Sequence, residues 1–146
     1  MCLYPTRTGA RVEEVALLFL RIHEVLAIHA QAIEEFGGLH GVRDAGALEA
    51  ALTAAENRAY YEQAPLPICA ATYAYHLTQA HAFLDGNKRL AAAVAEIFLA
   101  LNGAALQTTD EEVVAVFLAI AAGEVSRQDV EQWFVQRVVF TQEPST

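Results

Sequence analysis

Apolar positions recur along most of this chain at helical spacing. In "IHEVLAIHAQAIEEF", Val25, Ile28, Ala32 and Phe36 fall three or four residues apart, which predicts one face of a helix that Gly37 and Gly38 then stop. Asp44 is a good N-terminal cap, and Leu48 and Leu52 follow it four apart, so a second helix is predicted through about Ala55. Between Glu56 and Pro67 the pattern breaks into "ENRAYYEQAPLP", whose prolines and paired tyrosines predict an ordered loop or a short hairpin. A third helix is predicted from about Ile68 to Ala80. In "LAAAVAEIFLALNG", Leu90, Val94, Ile97 or Phe98, and Leu101 share a face and alanine fills most of the rest, the pattern of a closely packed central helix. Asn102 and Gly103 close it. "TDEE" at 109–112 is a capping box ahead of "VVAVFLAIAAG", and "SRQD" at 126–129 resembles one ahead of "VEQWFVQRVVF", so two more helices complete the chain. "LLFLR" at 17–21 suits a short strand or part of the first helix equally, and "TQEPST" predicts a frayed tail. The expectation is an all-α bundle, one domain over residues 1–140 with a flexible tail at 141–146.

Composition narrows what such a bundle can do. The 146 residues suit a single domain that buries its own core. Although 55% of them are hydrophobic, no stretch reaches the ~18 uncharged apolar residues of a membrane span. Residues 1–9 carry no apolar core followed by a small-residue cleavage site, so a cytoplasmic location is expected. Neither cysteine belongs to a CxxC pair, and Cys69, within "ICAATYAY", reads as a buried thiol outside any disulfide. Nine Lys and Arg against eighteen Asp and Glu leave a formal charge of −9, the reverse of the basic surface a nucleic-acid partner requires. Against that background Lys88 and Arg89 suit one small anion.

Those two cations belong to "HAFLDGNKR", residues 81–89, which falls between the third helix and the central one. Residues 86–89 would form the first turn of the central helix, where unpaired N–H groups and the positive end of the dipole favour a phosphate. Gly86 allows close approach to the backbone, while Asn87, Lys88 and Arg89 add donors and charge. Asp85 is placed to hold magnesium, which commonly binds one or two carboxylates together with substrate phosphates. His81 is the group here able to accept a proton near neutral pH. A base, a metal ligand and an anion cradle together describe phosphoryl or nucleotidyl transfer to a hydroxyl. Each part also has a plain structural reading: a histidine before a helix, Asp-Gly-Asn turn chemistry, and a solvated Lys-Arg pair. The combination favours the chemical one.

"HAFLDGNKR" resembles the Fic/Doc signature HxFx(D/E)GN(G/K)R in its Doc form, with lysine after the asparagine. "EVLAIHAQAIEEFGG", "GVRDAGALEAAL", "FLALNG" and "TDEEVVAVFLAIAAGEVSRQDVEQWF" resemble segments of death-on-curing toxins in the same order, over about Leu20 to Val138. The resemblance implies the all-helical Fic fold, with the signature loop at the N-terminus of its central helix. It makes His81 the base, Asp85 the magnesium ligand, Phe83 the anchor of the loop, Gly86, Asn87 and Lys88 the anion hole, and Arg89 a contact to the nucleotide phosphates. It also implies that a flap near "ENRAYYEQAP" docks the target; physics alone makes Tyr60 and Tyr61 partly buried aromatics as readily as docking residues.

Two positions depart from the family pattern. AMP-transferring members carry a second arginine three residues after the first, where this chain has Ala92, and Doc-type members tend to have threonine where it has Leu90. Lys88 together with Ala92 implies a triphosphate turned so that its γ-phosphate faces His81. The function so implied is that of a toxin of a toxin–antitoxin pair, a kinase using ATP and Mg2+ on a hydroxyl of a translation factor such as elongation factor Tu. AMP or other nucleotidyl transfer is the alternative, and a catalytically inert anion-binding module is a third reading. The implied partners are that translation factor and an antitoxin whose disordered segment folds into a helix on the toxin.

Overall fold

The computed structural model describes residues 3–5 and 14–141. The expectations made for residues 1–9 and for the tail beyond Thr141 therefore lie largely outside the described residues. Two short strands, β1 (Leu3–Pro5) and β2 (Glu14–Ala16), pair antiparallel. Six helices follow: α1 (Ile22–Phe36), α2 (Ala45–Glu62), α3 (Leu66–Ala80), α4 (Asn87–Leu101), α5 (Asp110–Ala121) and α6 (Arg127–Arg137). Strand β3 (Ala104–Leu106) lies between α4 and α5 and pairs antiparallel with β4 (Val138–Phe140), Ala104 opposite Phe140. The class is all-α with two small ribbons.

Local chemistry sets most helix ends. The Asp44 carboxylate accepts from Ala47 N at 2.9 Å, Thr109 and Ser126 head reciprocal capping boxes with Glu112 and Asp129, and Gly37 leaves α1 at φ 89°. "LLFLR" is neither strand nor helix: Leu17 to Leu20 run as irregular backbone between β2 and α1. Asn102 secures this segment, accepting from Leu18 N (2.9 Å) and donating to Leu18 O (3.0 Å), while the Tyr73 hydroxyl accepts from Leu20 N.

Two expectations are corrected. "ENRAYYEQAP" is not a loop or hairpin, because α2 continues to Glu62 and only Gln63, in the left-handed region at φ 51°, breaks it before α3 begins at Leu66. The extension is held by Ala55 and Ala59, which are buried and let α2 pack closely on α3. "VEQWFVQRVVF" is helical only to Arg137; Val138 to Phe140 turn into a strand because β3 offers them a backbone partner. Smaller shifts concern which face is inside. On α1 the buried residues are Val25, His29 and Ile33, and Phe36 is exposed; on α4 they include Leu90, Val94 and Phe98, whereas Ile97 and Leu101 face outward.

Helix α3 is the most enclosed, packed against α2, α4, α5 and α6 and buried on nearly every side. Cys69 lies here, its thiol donating to Ala64 O. The centre of the core is aromatic. Phe98 is wholly buried, stacked on Phe19 at 5.3 Å and edge-on to Tyr73 at 5.0 Å, and burial holds the Tyr73 hydroxyl well above its usual range. The signature loop thus joins the two innermost helices, a rigid base for a site.

Candidate active site

His81 ends α3 in the left-handed region, at φ 49° and ψ 44°. A side chain there costs about 1 kcal/mol or more, and such outliers concentrate where function holds them. The His81 ring is exposed. The chain then turns inward: Ala82 and Phe83 are buried, Leu84 and Asp85 return to the surface, and Gly86 starts α4 at φ 75°.

The loop is clamped from two directions. Residues 41–44 lie against it, with Arg43 N and Asp44 N donating to Ala82 O (2.7 and 3.0 Å), Leu84 N donating to Gly41 O (3.1 Å), and a bridge pairing Val42 with Phe83. From within, Asn87 accepts from Phe83 N and donates to Phe83 O, both at 3.0 Å. Its side chain therefore shapes the loop, while the amide's second N–H has no acceptor among the described residues. One oxygen of Asp85, Oδ2, accepts from Leu39 N at 3.0 Å, and a Cβ on Gly38 would crowd that same oxygen at 3.3 Å. The other oxygen has no hydrogen bond among the described residues.

The first turn of α4 is open to an anion. Leu90 N makes the first helical bond, to Gly86 O at 2.8 Å, and the N–H groups of residues 86–89 find no acceptor among the described residues. A cavity of about 420 Å³ lies beside this turn, lined by Gly86, Asn87, Lys88, Arg89 and Ala92, with Val113, Val114, Phe117 and Leu118 of α5 as an apolar wall. Ala92 leaves that wall unobstructed at the place of the missing arginine. Arg89 rests over the Phe36 ring at 4.3 Å, and Lys88 has no ion pair among the described residues.

The structure therefore brings Asp85, Gly86, Asn87, Lys88 and Arg89 into one turn, with His81 at the opposite end of the same short loop. Tyr60 and Tyr61 stand edge-to-face at 4.8 Å on the last turn of α2, 54% and 73% exposed, so the partly buried alternative does not hold, and they are not among the residues lining this cavity. The segment against the loop is residues 39–44. Sequence reasoning missed His29, which is buried on α1, stacks on Phe83 at 3.8 Å and bonds to Asp85 O. A polar residue on the buried stripe of α1 was the available signal.

The sequence around this loop and its two buried helices matches a known family directly. The chain belongs to the Fic/DOC family, whose profile covers residues 19–99. It is 36% identical over 109 residues to the protein kinase doc of Escherichia phage P1, a match spanning 73% of this chain and 85% of that protein. No helix among the described residues is long and apolar enough to cross a membrane.

Proposed function

We propose that this chain is a Doc-like toxin that transfers the γ-phosphate of ATP to a serine or threonine hydroxyl of a translation factor, elongation factor Tu being the family's implied target. The observation that carries the reading is the run of unpartnered N–H groups at residues 86–89, flanked by Lys88 and Arg89 and opening on the 420 Å³ cavity. Phosphates would sit on that turn, with the nucleoside against the apolar α5 wall. Asp85 would hold the magnesium ion. A single carboxylate completed by phosphate and water oxygens suits magnesium, and Asp85 has one oxygen without a hydrogen bond among the described residues. Bound there, magnesium would neutralise phosphate charge, while the chain's own residues orient the phosphates and handle the proton. His81 accepts the proton of the target hydroxyl as that oxygen attacks, and ADP leaves.

Residues 39–44, which lie beside the loop and expose Leu39 and Val42, are a second candidate for docking the target beside Tyr60 and Tyr61. An antitoxin helix is proposed to cover the apolar surface near the signature, where Val114 and Leu118 are more than half exposed. Expression in a bacterial host tests the reading. The parent chain should arrest growth and amino-acid incorporation, and His81→Ala, an exposed position, should fold normally and arrest neither. Equal arrest by both would remove His81 from the chemistry.

A further inference from the structure

The turn that would hold phosphate begins with a peptide bond able to point either way. Asp85 and Gly86 share one planar trans unit, in which the Asp85 carbonyl and the Gly86 N–H point in opposite directions. If the carbonyl faces inward, the N–H faces out and joins the donors of α4. If the unit flips, a carbonyl oxygen meets the anion instead. Gly86, at φ 75°, makes such a flip inexpensive, because glycine accepts both signs of φ. A side chain here would be strained by the positive φ and would also press on Ile33 Cδ1, 3.3 Å from the Cβ position.

One side chain selects the orientation. His29 is 97% buried, from its 3% relative exposure, and its Nε2 lies 2.8 Å from Asp85 O. A carbonyl only accepts, so Nε2 carries the proton and donates it. The ring cannot swing away, because it stacks on Phe83 at 3.8 Å and 15°. Phe83 is in turn fixed by both atoms of the Asn87 amide. We propose that His29 is a positioning residue: its Nε2–H holds the Asp85 carbonyl against α1 and thereby turns the Gly86 N–H toward the anion. This deepens the phosphate-binding reading of the turn and rests on it for the identity of the ligand.

Three forms of the full-length protein test the lock: the parent, His29→Phe and His29→Gln. Phenylalanine keeps a ring against Phe83 without the donor, and glutamine restores an amide N–H at similar reach. The first readout, the Gly86 amide resonance in 15N-labelled protein, needs no nucleotide. It should be single in the parent and in His29→Gln, and doubled or exchange-broadened in His29→Phe. The second is Mg–ATP affinity, expected to fall about tenfold or more in His29→Phe, the scale of one hydrogen bond to a charged group, and to recover in His29→Gln. A merely space-filling His29 would give the opposite order, with His29→Phe the better of the two. Should His29→Phe fail to fold, the parent alone still decides, because the His29 Nε2 proton must appear as a slowly exchanging imidazole signal in contact with Asp85 or Gly86. Its absence overturns the lock, as does an unchanged Gly86 resonance in a folded His29→Phe. If the Gly86 resonance behaves as expected and the parent binds no ATP, the lock stands and the nucleotide reading fails.

Discussion

Asn87→Ala isolates the clasp that shapes the signature loop. The substitution leaves Phe83 N–H without its acceptor and Phe83 C=O without its donor, two bonds of 3.0 Å in a partly buried site. A bond exchanged for water is worth about 1 kcal/mol, and a backbone group stranded away from water costs about 1–3 kcal/mol. Water can reach this edge, since Leu84 and Asp85 are exposed, so the lower figures apply and the two losses together come to about 2 kcal/mol. For a chain of this size that lowers the midpoint of thermal unfolding by roughly 4–8 °C. Asn87→Asp sharpens the test. Its carboxylate can still accept from Phe83 N, but it sets a second oxygen against Phe83 O, so near pH 7 it should be no better than alanine. The fold favours the protonated form, which can donate to that carbonyl; the carboxyl pKa is then raised on folding, and the deficit against the parent should shrink as pH falls through about 4. Thermal unfolding followed by circular dichroism at pH 7 and pH 3.5 measures both effects. An Asn87→Ala midpoint within about 1 °C of the parent would refute the clasp.

Phe98→Ala should cost about 3–5 kcal/mol, because the ring is wholly buried between Phe19 and Tyr73; denaturant unfolding measures it, and a loss below about 1 kcal/mol would contradict the aromatic core. The His76 pKa is lowered by burial and by the charges of Arg127 and Arg58, the latter paired with Glu131 and Glu62. A histidine whose pKa is lowered on folding contributes stability above pH 6.5 that is lost as pH falls, so His76→Gln should reduce the loss of stability between pH 7 and pH 5. A pH profile identical to the parent's would count against this. The product of the neighbouring reading frame should raise the thermal midpoint, and no shift at saturating concentration would exclude it as the antitoxin.

Features whose signals are local were legible in the sequence. Asp44, Thr109 and Ser126 cap the helices their residue types announce, and residues 81–89 form the loop and first turn that the glycine and its neighbours suggest. What failed depended on distant partners. Helix α2 runs on past Ala55 because small alanines fit closely against α3, and alanine carries little weight in a hydrophobic pattern. The end of α6 becomes a strand because β3, more than thirty residues earlier, supplies the pairing. His29 went unread because its acceptor, Asp85 O, lies 56 residues away. Asn87 lines the cavity as its place in the turn suggests, and its amide also clasps Phe83, four residues earlier.

Which phosphate is transferred decides between a kinase and a nucleotidyl transferase. The parent protein and His81→Ala, each incubated with bacterial extract and ATP labelled at either the α or the γ position, test it most directly. γ label alone, dependent on His81, should appear on one protein of translation-factor size. Label from the α position alone would show nucleotidyl transfer and contradict the proposed orientation of the triphosphate, and label from neither would leave the turn an anion site without the proposed chemistry.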